Sequence, residues 1–369
     1  MCGIVGLFDT RGKSEIDRRI LWRMNQLQIH RGPDEGELYT EPGVGFGHRR
    51  LSIMDVSSGQ QPLFNEDGSV VVVFNGEIYN FQELAKELIA LGHTFRTHCD
   101  TEVIVHAWEE WGEYCVDRFR GMFAFGLWDR NQETLFLARD RLGIKPLYYG
   151  MLGDGTFIFA SELKALLAHP DFIREMDAHA IEDYFAYGYV PEPKTIFRQA
   201  LKLSPAHTLK LSTGQSMPRL RQYWDIPFTL HASISMQEAQ EELIVRLRES
   251  VKIHLMTEVP LGAFLSGGVD SSAVVAMMAN LMEEPVNTCS ISFGDPAFNE
   301  SQYAQKVADR YHTQHDVEQV NQDDFELIDK LASLYDEPFA DSSAMPTYRV
   351  CELARKRVTV ALSGDGGDG

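Results

Sequence analysis

The order of predicted helices and strands changes near residue 236, and this change constrains the fold more than any other feature of the chain. Before about residue 165, strand candidates rich in β-branched and aromatic residues are grouped, with a few amphipathic helices between them. After residue 236, helices and strands alternate. Grouping predicts an α+β layered domain with antiparallel sheets, whereas alternation predicts a doubly wound parallel sheet. With 369 residues, the chain is long enough for both.

The first predicted domain covers residues 2–165, and repeated prolines over residues 166–235 indicate a connecting segment. Strands are predicted at Cys2–Phe8, Val44–Met54, Val70–Phe74, Met122–Trp128 and Thr134–Ala138. Helices are predicted at Glu15–Leu27, Phe81–Leu91, Asp100–Trp111 and, within the connecting segment, Ala178–Tyr187.

The second predicted domain covers residues 236–369. Its predicted helices are Gln237–Met256, Ser271–Met282, Ser301–Tyr311, Asp324–Tyr335 and Thr347–Arg357. Its predicted strands are Leu261–Leu265, Val286–Ser292 and Val358–Leu362. Ligands of such sheets bind beyond the carboxyl ends of the strands. The sequence ends just after a glycine-rich turn, with no helix to cover the last strand, so we expect a C-terminally truncated domain.

Charge and cysteine content narrow the class of function. A formal net charge of -20 argues against nonspecific binding to nucleic acid or to an anionic membrane. Five widely spaced cysteines without a CxxC pair suggest neither a disulfide framework nor a zinc site. No secretory signal and no apolar run of about 20 residues is visible. A cytoplasmic location is therefore expected.

Cys2 directly follows the initiator methionine. Cysteine is small enough for that methionine to be removed, which would leave a thiol beside a free amino group of pKa about 7.7–8.0. Such an amine can act as a general base for the thiol, as in N-terminal-nucleophile catalysis. The thiol would attack the side-chain amide of glutamine. Alone, a cysteine at the second position is more often incidental.

Four further groups could complete a glutamine pocket. Arg49 and Arg50 end a strand, and a guanidinium there could clamp the α-carboxylate. Asn75 and Gly76 follow a strand and could form an oxyanion hole. Glu77 and Asp100 are carboxylates that could hold the substrate ammonium. Taken singly, each is more readily explained as a surface turn or, for Asp100, a helix cap.

Together these segments resemble the class II glutamine amidotransferase domain that begins asparagine synthetases. The resemblance rests, in order along residues 2–165, on the strings MCGIVG, HRGPD, RLSIMD, FNGEIYN, CDTEV, GMFAF and RDRLGIKPLYY. It implies an N-terminal-nucleophile hydrolase sandwich, with antiparallel sheets between helices. It also implies that Cys2 is the nucleophile and that Arg50, Asn75, Gly76, Glu77 and Asp100 bind glutamine as described above.

A glycine-rich turn, SGGVDSS, lies between a predicted strand and helix of the second domain. Its backbone N–H groups and hydroxyls, at the positive end of the helix, suit a phosphate or pyrophosphate. The turn lacks the GK[ST] of a Walker A motif, which favours pyrophosphate release over γ-phosphate transfer. Asp270 offers a carboxylate to Mg²⁺. A generic strand-to-helix turn is the alternative.

The turn resembles the PP-loop of the ATP-pyrophosphatase family, and SGDGGD at residues 363–368 resembles a second string of asparagine synthetases. The resemblance implies ATP contacts from Leu265, Ser266, Gly267, Gly268, Asp270, Ser271, Ser272, Phe293, Ser363 and Gly364. It implies Mg²⁺ ligation by Asp270 and Asp368, and places Asp365 at the acyl substrate. Gly369 stands where the family usually has Glu.

The combined prediction is an ATP-dependent amidotransferase of the asparagine synthetase type, with glutamine, ATP and aspartate as substrates. Its acyl-adenylate is expected to be β-aspartyl-AMP. WEEWGEYCVDRFRGMFAF and YFAYGYVPEP look like exosortase- or polysaccharide-associated paralogues, whose acceptor can differ. A glutaminase-only fragment and a nonenzymatic binding module are further alternatives. The sequence leaves the oligomeric state open, a homodimer included.

Overall fold

The computed structural model of the chain describes residues 1–12, 14–228, 234–295, 299–320 and 326–365. The chain forms two compact units. The first contains Met1–Pro227 and the short segment Tyr335–Ala340, and the second contains Phe228–Leu334 and Asp341–Gly369. No helix in the described ranges has the length and apolar character that a membrane crossing requires.

Twelve described strands of the first unit form two antiparallel six-stranded sheets. They are β1 (Gly3–Asp9), β2 (Glu35–Glu41), β3 (Val44–Arg50), β4 (Leu63–Phe64), β5 (Val70–Ile78), β6 (Gly121–Asp129), β7 (Thr134–Arg139), β8 (Tyr148–Met151), β9 (Thr156–Ala160), β10 (Ala200–Lys202), β11 (His207–Ser212) and β12 (Arg219–Gln222). The first sheet has the order β10-β8-β9-β1-β3-β2, and the second β12-β11-β7-β6-β5-β4.

The helices of this unit cover the two outer faces of the paired sheets. They are α1 (Arg18–Gln26), α2 (Phe81–Leu91), α3 (Glu102–Trp111), α4 (Cys115–Arg118), α5 (Leu163–Leu167) and α6 (Ala178–Tyr187). One core, with Phe46, Val71 and Phe159, lies between the sheets. A second core joins the first sheet to α1, α5 and α6, and a third joins the second sheet to α2, α3 and α4. The predicted sandwich of antiparallel sheets between helices is confirmed.

The stretch 166–235, predicted as a connecting segment, supplies strands to both sheets. Strand β10 pairs with β8 in the first sheet, and β11 pairs with β7 in the second. The predicted domain limits stay a prediction. Strand β2 has no counterpart in the sequence analysis, because the polar string EGELYTE lacks the apolar alternation of a half-buried strand.

The second unit is built around a four-stranded parallel sheet in the order β15-β14-β13-β16. Its strands are β13 (Leu261–Phe264), β14 (Asn287–Phe293), β15 (Gln314–Val320) and β16 (Val360–Leu362). Its helices are α7 (Met236–His254), α8 (Val269–Leu281), α9 (Ser301–Tyr311), α10 (Leu327–Leu334) and α11 (Ala344–Arg355). Helices α7, α8 and α9 pack on one apolar cluster, and α11 packs on another. The predicted doubly wound parallel sheet is confirmed.

Candidate functional site

Cys2 is held at the entrance to β1, a central strand of the first sheet. Strand β1 pairs with β3 on one side and with β9 on the other. The guanidinium of Arg31 donates from Nε to the backbone oxygen of Cys2 at 2.9 Å. The thiol lies 3.8 Å from the carbonyl oxygen of Leu51. These contacts fix both the backbone and the sulfur of the predicted nucleophile.

The two titratable groups at this end of the chain are shifted in opposite directions. Burial raises the pKa of the Cys2 thiol, which disfavours the thiolate. Burial also lowers the pKa of the Met1 amino group to about 6, although the Met1 residue as a whole is exposed. An amine placed here is therefore largely neutral at pH 7 and can accept a proton.

Asn75 and Gly76 lie together near the end of β5, a strand of the second sheet. Asn75 is 1% exposed, and within the described residues its amide Nδ2 has no hydrogen-bond partner. Buried amide donors are normally bonded, so an orphan one calls for a ligand or another explanation. At Gly76 a Cβ atom would lie 2.2 Å from the carbonyl oxygen of Met122. Only glycine fits there.

Glu77 and Asp100 are a pair of carboxylates, of which Asp100 is buried and Glu77 is half-buried. Asp100 lies just before α3, and its Oδ2 accepts a hydrogen bond from the N–H of Ile78 at 2.8 Å. Burial raises the pKa of Asp100 to about 7. Burial and, next, the charge of Asp100 raise the pKa of Glu77 well above its ordinary value. Two carboxylates in such surroundings favour a bound cation, such as a substrate ammonium.

Arg50 ends β3, and both terminal nitrogens of its guanidinium are held by the protein. The residue is 4% exposed and forms an ion pair with Glu35 at 3.1 Å. It also donates to the carbonyl oxygens of Asp55 at 2.7 Å and Met54 at 3.2 Å. The guanidinium therefore stays in one orientation, and a substrate carboxylate would bind to an already fixed cation.

Sequence reasoning assigned no role to Arg31, Lys145 or Glu162, which the structure connects to Cys2. Glu162 pairs with Arg31 at 3.0 Å, with His30 at 2.9 Å and with Lys164 at 3.4 Å. It thereby holds the guanidinium that contacts Cys2. Lys145 is 6% exposed, burial lowers its pKa, and its charge acts on Glu77 and Cys2. The sequence could have indicated them, since Arg31 lies in HRGPD, Glu162 in SELK and Lys145 in RDRLGIKPLYY.

The second unit contains a cavity of about 1080 Å³ at the carboxyl edge of its parallel sheet. Its lining includes most of the predicted nucleotide residues, namely Leu265, Ser266, Gly268, Asp270, Ser271, Phe293, Ser363 and Gly364, together with Asp365, which was predicted at the acyl substrate. Gly267 and Ser272, also predicted, are not part of the lining. Asp368 and Gly369 lie outside the described residues.

The first glycine-rich turn and the described start of the second, residues 363–365, meet at this cavity. Strands β13 and β16 are parallel neighbours, so both turns leave the same edge of the sheet. A Cβ on Gly364 would lie 2.6 Å from the backbone nitrogen of Ser271. Gly267 has φ +87°, and a Cβ there would lie 2.5 Å from the nitrogen of Ala304. A side chain would clash with the backbone at Gly267 and at Gly364, and the left-handed conformation of Gly267 also favours glycine.

Hydroxyl groups and the start of α8 give the cavity its polar wall. Ser266 Oγ accepts from the N–H of Gly268 at 3.2 Å and lies 2.9 Å from Ser271 Oγ. Helix α8 begins at Val269, so its positive end points toward this wall. Asp270 adds a carboxylate, the donor type that Mg²⁺ prefers. The wall suits phosphate oxygens with a divalent cation.

Comparison with known proteins matches both units. Residues 1–224 match the family model of the glutamine amidotransferase domain, and residues 242–369 match that of asparagine synthase. The chain belongs to the asparagine synthetase family. The resemblance inferred from the sequence motifs is thereby confirmed.

Three curated relatives of this family are similar along the whole chain. The chain is 38% identical over 378 residues to asparagine synthetase (glutamine-hydrolyzing) 1 of Bacillus subtilis, covering 100% of this chain and 58% of the relative. It is 39% identical over 391 residues to a putative asparagine synthetase 2 of Methanocaldococcus jannaschii, covering 100% and 74%. For asparagine synthetase 3 of Bacillus subtilis, identity is 34% over 389 residues, covering 100% and 62%. The chain thus spans little more than half of the first of these relatives.

Proposed function

We propose that this asparagine synthetase family member hydrolyses glutamine at Cys2 and transfers the ammonia to an acyl-adenylate formed with ATP. The expected acceptor is aspartate. Its β-carboxylate would attack the α-phosphorus of ATP, releasing pyrophosphate and giving β-aspartyl-AMP. Ammonia would then displace AMP and give asparagine. Glutamate is the product of the first site.

The amide of Asn75, whose Nδ2 has no hydrogen-bond partner among the described residues, is the observation that carries the glutaminase half. After removal of Met1, the Cys2 amine would take the thiol proton, and the thiolate would attack the amide carbon of glutamine. The oxygen that becomes negative would accept hydrogen bonds from Asn75 Nδ2 and the N–H of Gly76. Ammonia leaves with the proton from the amine, and water hydrolyses the thioester.

The surrounding charges would orient the substrate for this attack. Arg50 would bind the α-carboxylate of glutamine, because its guanidinium is fixed by Glu35 and by backbone carbonyls. Glu77 and Asp100 would bind the α-ammonium, whose positive charge offsets the cost of burial that raises the pKa of both carboxylates. Arg31 would keep the Cys2 backbone in place during both half-reactions.

The cavity of the second unit supports the ATP-dependent half. Its glycine-rich turns and serine hydroxyls would hold the phosphates, and Phe293 would line the side of the adenine. Asp270 and Asp368 would hold Mg²⁺, which neutralises phosphate charge during adenylation. Asp365 lines the cavity and would face the acyl substrate. A cytoplasmic location and a homodimer stay predictions.

The glutaminase assignment is tested with the full chain and two cysteine variants. Glutamate release is measured for the wild type, for Cys2→Ala, and for Cys351→Ala, whose cysteine is exposed in the second unit. We expect Cys2→Ala to abolish release and Cys351→Ala to keep it. Intact-mass spectrometry should show loss of Met1 and labelling of Cys2 by a glutamine-analogue electrophile. Hydrolysis that survives in Cys2→Ala would refute the assignment.

The synthetase assignment has a separate test. Pyrophosphate release from ATP is followed with aspartate and ammonium, and the amide product is identified by mass spectrometry. Asp270→Asn should abolish release without changing glutamate production, since it lies in the other unit. If pyrophosphate release does not depend on aspartate but does depend on another carboxylate, that carboxylate is the acceptor instead of aspartate.

A further inference from the structure

A compact cluster of histidine and glutamate side chains lies in the first unit, away from the residues assigned to glutamine. It combines the loop before β5, the connection between α2 and α3, and α3 itself. The His2Glu2 cluster consists of Glu66, His93, His106 and Glu109, whose nearest ligand atoms all lie within 4.8 Å of one another. The His106 side chain is fully buried and that of His93 is 12% exposed.

We propose that the His2Glu2 cluster binds a divalent transition-metal ion of the zinc class, in four-coordinate geometry. Two imidazole nitrogens and two carboxylates form a donor set that Zn²⁺ accepts. Both histidines turn Nδ1 toward the carboxylates of Glu66 and Glu109. The proposal does not depend on the reaction proposed for the chain.

Both Nδ1 atoms lie 3.3–3.7 Å from carboxylate oxygens, close to the spacing of neighbouring ligands around a four-coordinate ion, and Glu66 presents Oε1 to His93 and Oε2 to His106. His93 Nδ1 lies 3.3 Å from Glu66 and 3.7 Å from Glu109. His106 Nδ1 lies 3.3 Å from Glu66 and 3.4 Å from Glu109. Charge-assisted hydrogen bonds are shorter, about 2.7–2.9 Å. Zinc bonds of about 2.0–2.2 Å in a tetrahedron place neighbouring donor atoms about 3.3–3.6 Å apart.

The outer nitrogens of both histidines face further carboxylates. His93 Nε2 lies 2.9 Å from Glu110 Oε1, and His106 Nε2 lies 3.5 Å from Glu102 Oε1. A protonated Nε2 that donates to a carboxylate fixes the tautomer with a free lone pair on Nδ1. Metal-ligating histidines almost always have such an outer partner. His93 therefore has this supporting partner, whereas His106 Nε2 faces Glu102 without a hydrogen bond to any described residue.

The carboxylates of the cluster are themselves positioned by the protein. Glu66 Oε1 accepts from the N–H of Thr94 at 2.9 Å, and Glu109 Oε1 accepts from Asn65 Nδ2 at 2.7 Å. Glu102 accepts from the N–H groups of Arg96 and Thr97, both at 2.7 Å. Ligands held in this way lose little freedom when a cation binds. A bound ion would join α3 to two loops and stabilise the chain that leads to Asp100.

Protons are the competing occupants of the same atoms. Burial opposes protonation of His106, but its contacts with Glu102 and Glu109 raise its pKa to about 9. A protonated cluster would be a network of ion pairs without a metal. A metal-bound cluster and a protonated, metal-free cluster differ in metal content, so the metal content of the purified chain distinguishes them.

The test uses the full chain, freed of metal with a chelator and dialysed against micromolar Zn²⁺. Elemental analysis should give about one zinc per wild-type chain. His93→Gln and Glu109→Gln should each lower the content at least tenfold. His179→Gln changes an exposed histidine of the same unit that pairs with Glu182, and should leave the content unchanged.

Two measurements on the wild type keep the test decisive if a variant folds poorly. Co²⁺ should bind with the visible absorption of a tetrahedral N/O site and be displaced by Zn²⁺. Added Zn²⁺ should raise the melting temperature of the metal-free wild type but not that of His93→Gln. A wild type that retains less than a tenth of a zinc, or equal content in wild type and His93→Gln, would overturn the proposal.

Discussion

Asn75→Ala should separate catalysis from stability, because the Nδ2 atom it removes has no partner in the described protein. Loss of one oxyanion donor typically lowers kcat by about 10²–10³, equivalent to about 2.7–4 kcal/mol of transition-state stabilisation. We expect that fall in glutamate release, with a smaller change in KM, since the donor acts mainly on charge that develops during reaction.

In contrast to its effect on catalysis, Asn75→Ala should not destabilise the fold. An unsatisfied buried donor costs about 1–3 kcal/mol, so removing it offsets the packing lost with the amide. Asn75→Ala should therefore leave the free energy of unfolding unchanged or raise it by up to about 2 kcal/mol. Asn80→Ala is the matched control. Its amide donates to Arg118 O at 3.0 Å and accepts from Arg120 N at 2.9 Å, and Asn80 has no assigned catalytic role.

Urea unfolding and glutamine kinetics of both variants complete the experiment. Loss of the two hydrogen bonds should lower the stability of Asn80→Ala by about 1–3 kcal/mol, with hydrolysis near the wild-type rate. The reasoning would be refuted if Asn75→Ala lost as much stability as Asn80→Ala and kept hydrolysis within about tenfold of wild type.

Three other perturbations follow from the geometry. Because burial raises the pKa of Asp100 to about 7 and ammonium binding needs the carboxylate form, kcat/KM for glutamine should fall about tenfold per unit as pH drops below 7. A pH-independent profile from pH 5 to 8 would contradict this. Glu162→Gln removes the ion pair of Arg31, so it should lower the free energy of unfolding in urea by about 2–3 kcal/mol and lower kcat for glutamine hydrolysis. Unaltered kinetics would argue against a role of Glu162 in positioning Arg31. Gly267→Ala should lower the free energy of unfolding by about 1–3 kcal/mol and weaken ATP binding measured by calorimetry. Gly267 has φ +87°, and a Cβ there would lie 2.5 Å from the backbone nitrogen of Ala304. Unchanged ATP affinity would show that the turn tolerates a side chain.

The sequence predicted those elements whose ends carry local signals. Phe81–Leu91 is a helix with the predicted bounds, because Gly92 ends it in the left-handed conformation at φ 112°. Strand β15 (QHDVEQV) escaped prediction because it lies at the sheet edge, where half-exposed polar residues are tolerated. Such a strand is stabilised by pairing with β14, a contact that no local pattern encodes.

The candidate site shows the same division between local and long-range information. Cys2, Asn75 and Asp100 lie far apart in the sequence; their individual chemistry suggested a glutamine pocket, and the resemblance to a family supplied the role of each residue. The turn SGGVDSS could be predicted locally, since glycines at a strand-to-helix junction have a direct steric meaning. The His2Glu2 cluster could not, because Glu66 and His93 approach each other only through tertiary packing.

The position of β1 has a consequence for protein synthesis. Ile4 exchanges hydrogen bonds with Ser161, its N–H donating to Ser161 Oγ at 3.0 Å and its carbonyl accepting from the Ser161 N–H at 2.9 Å. The first strand emerges from the ribosome about 150 residues before this partner. Such distant pairing is slow to form and leaves the nascent amino terminus without its final neighbours. A translating chain would thus have no organised thiol centre until about residue 161 had been made.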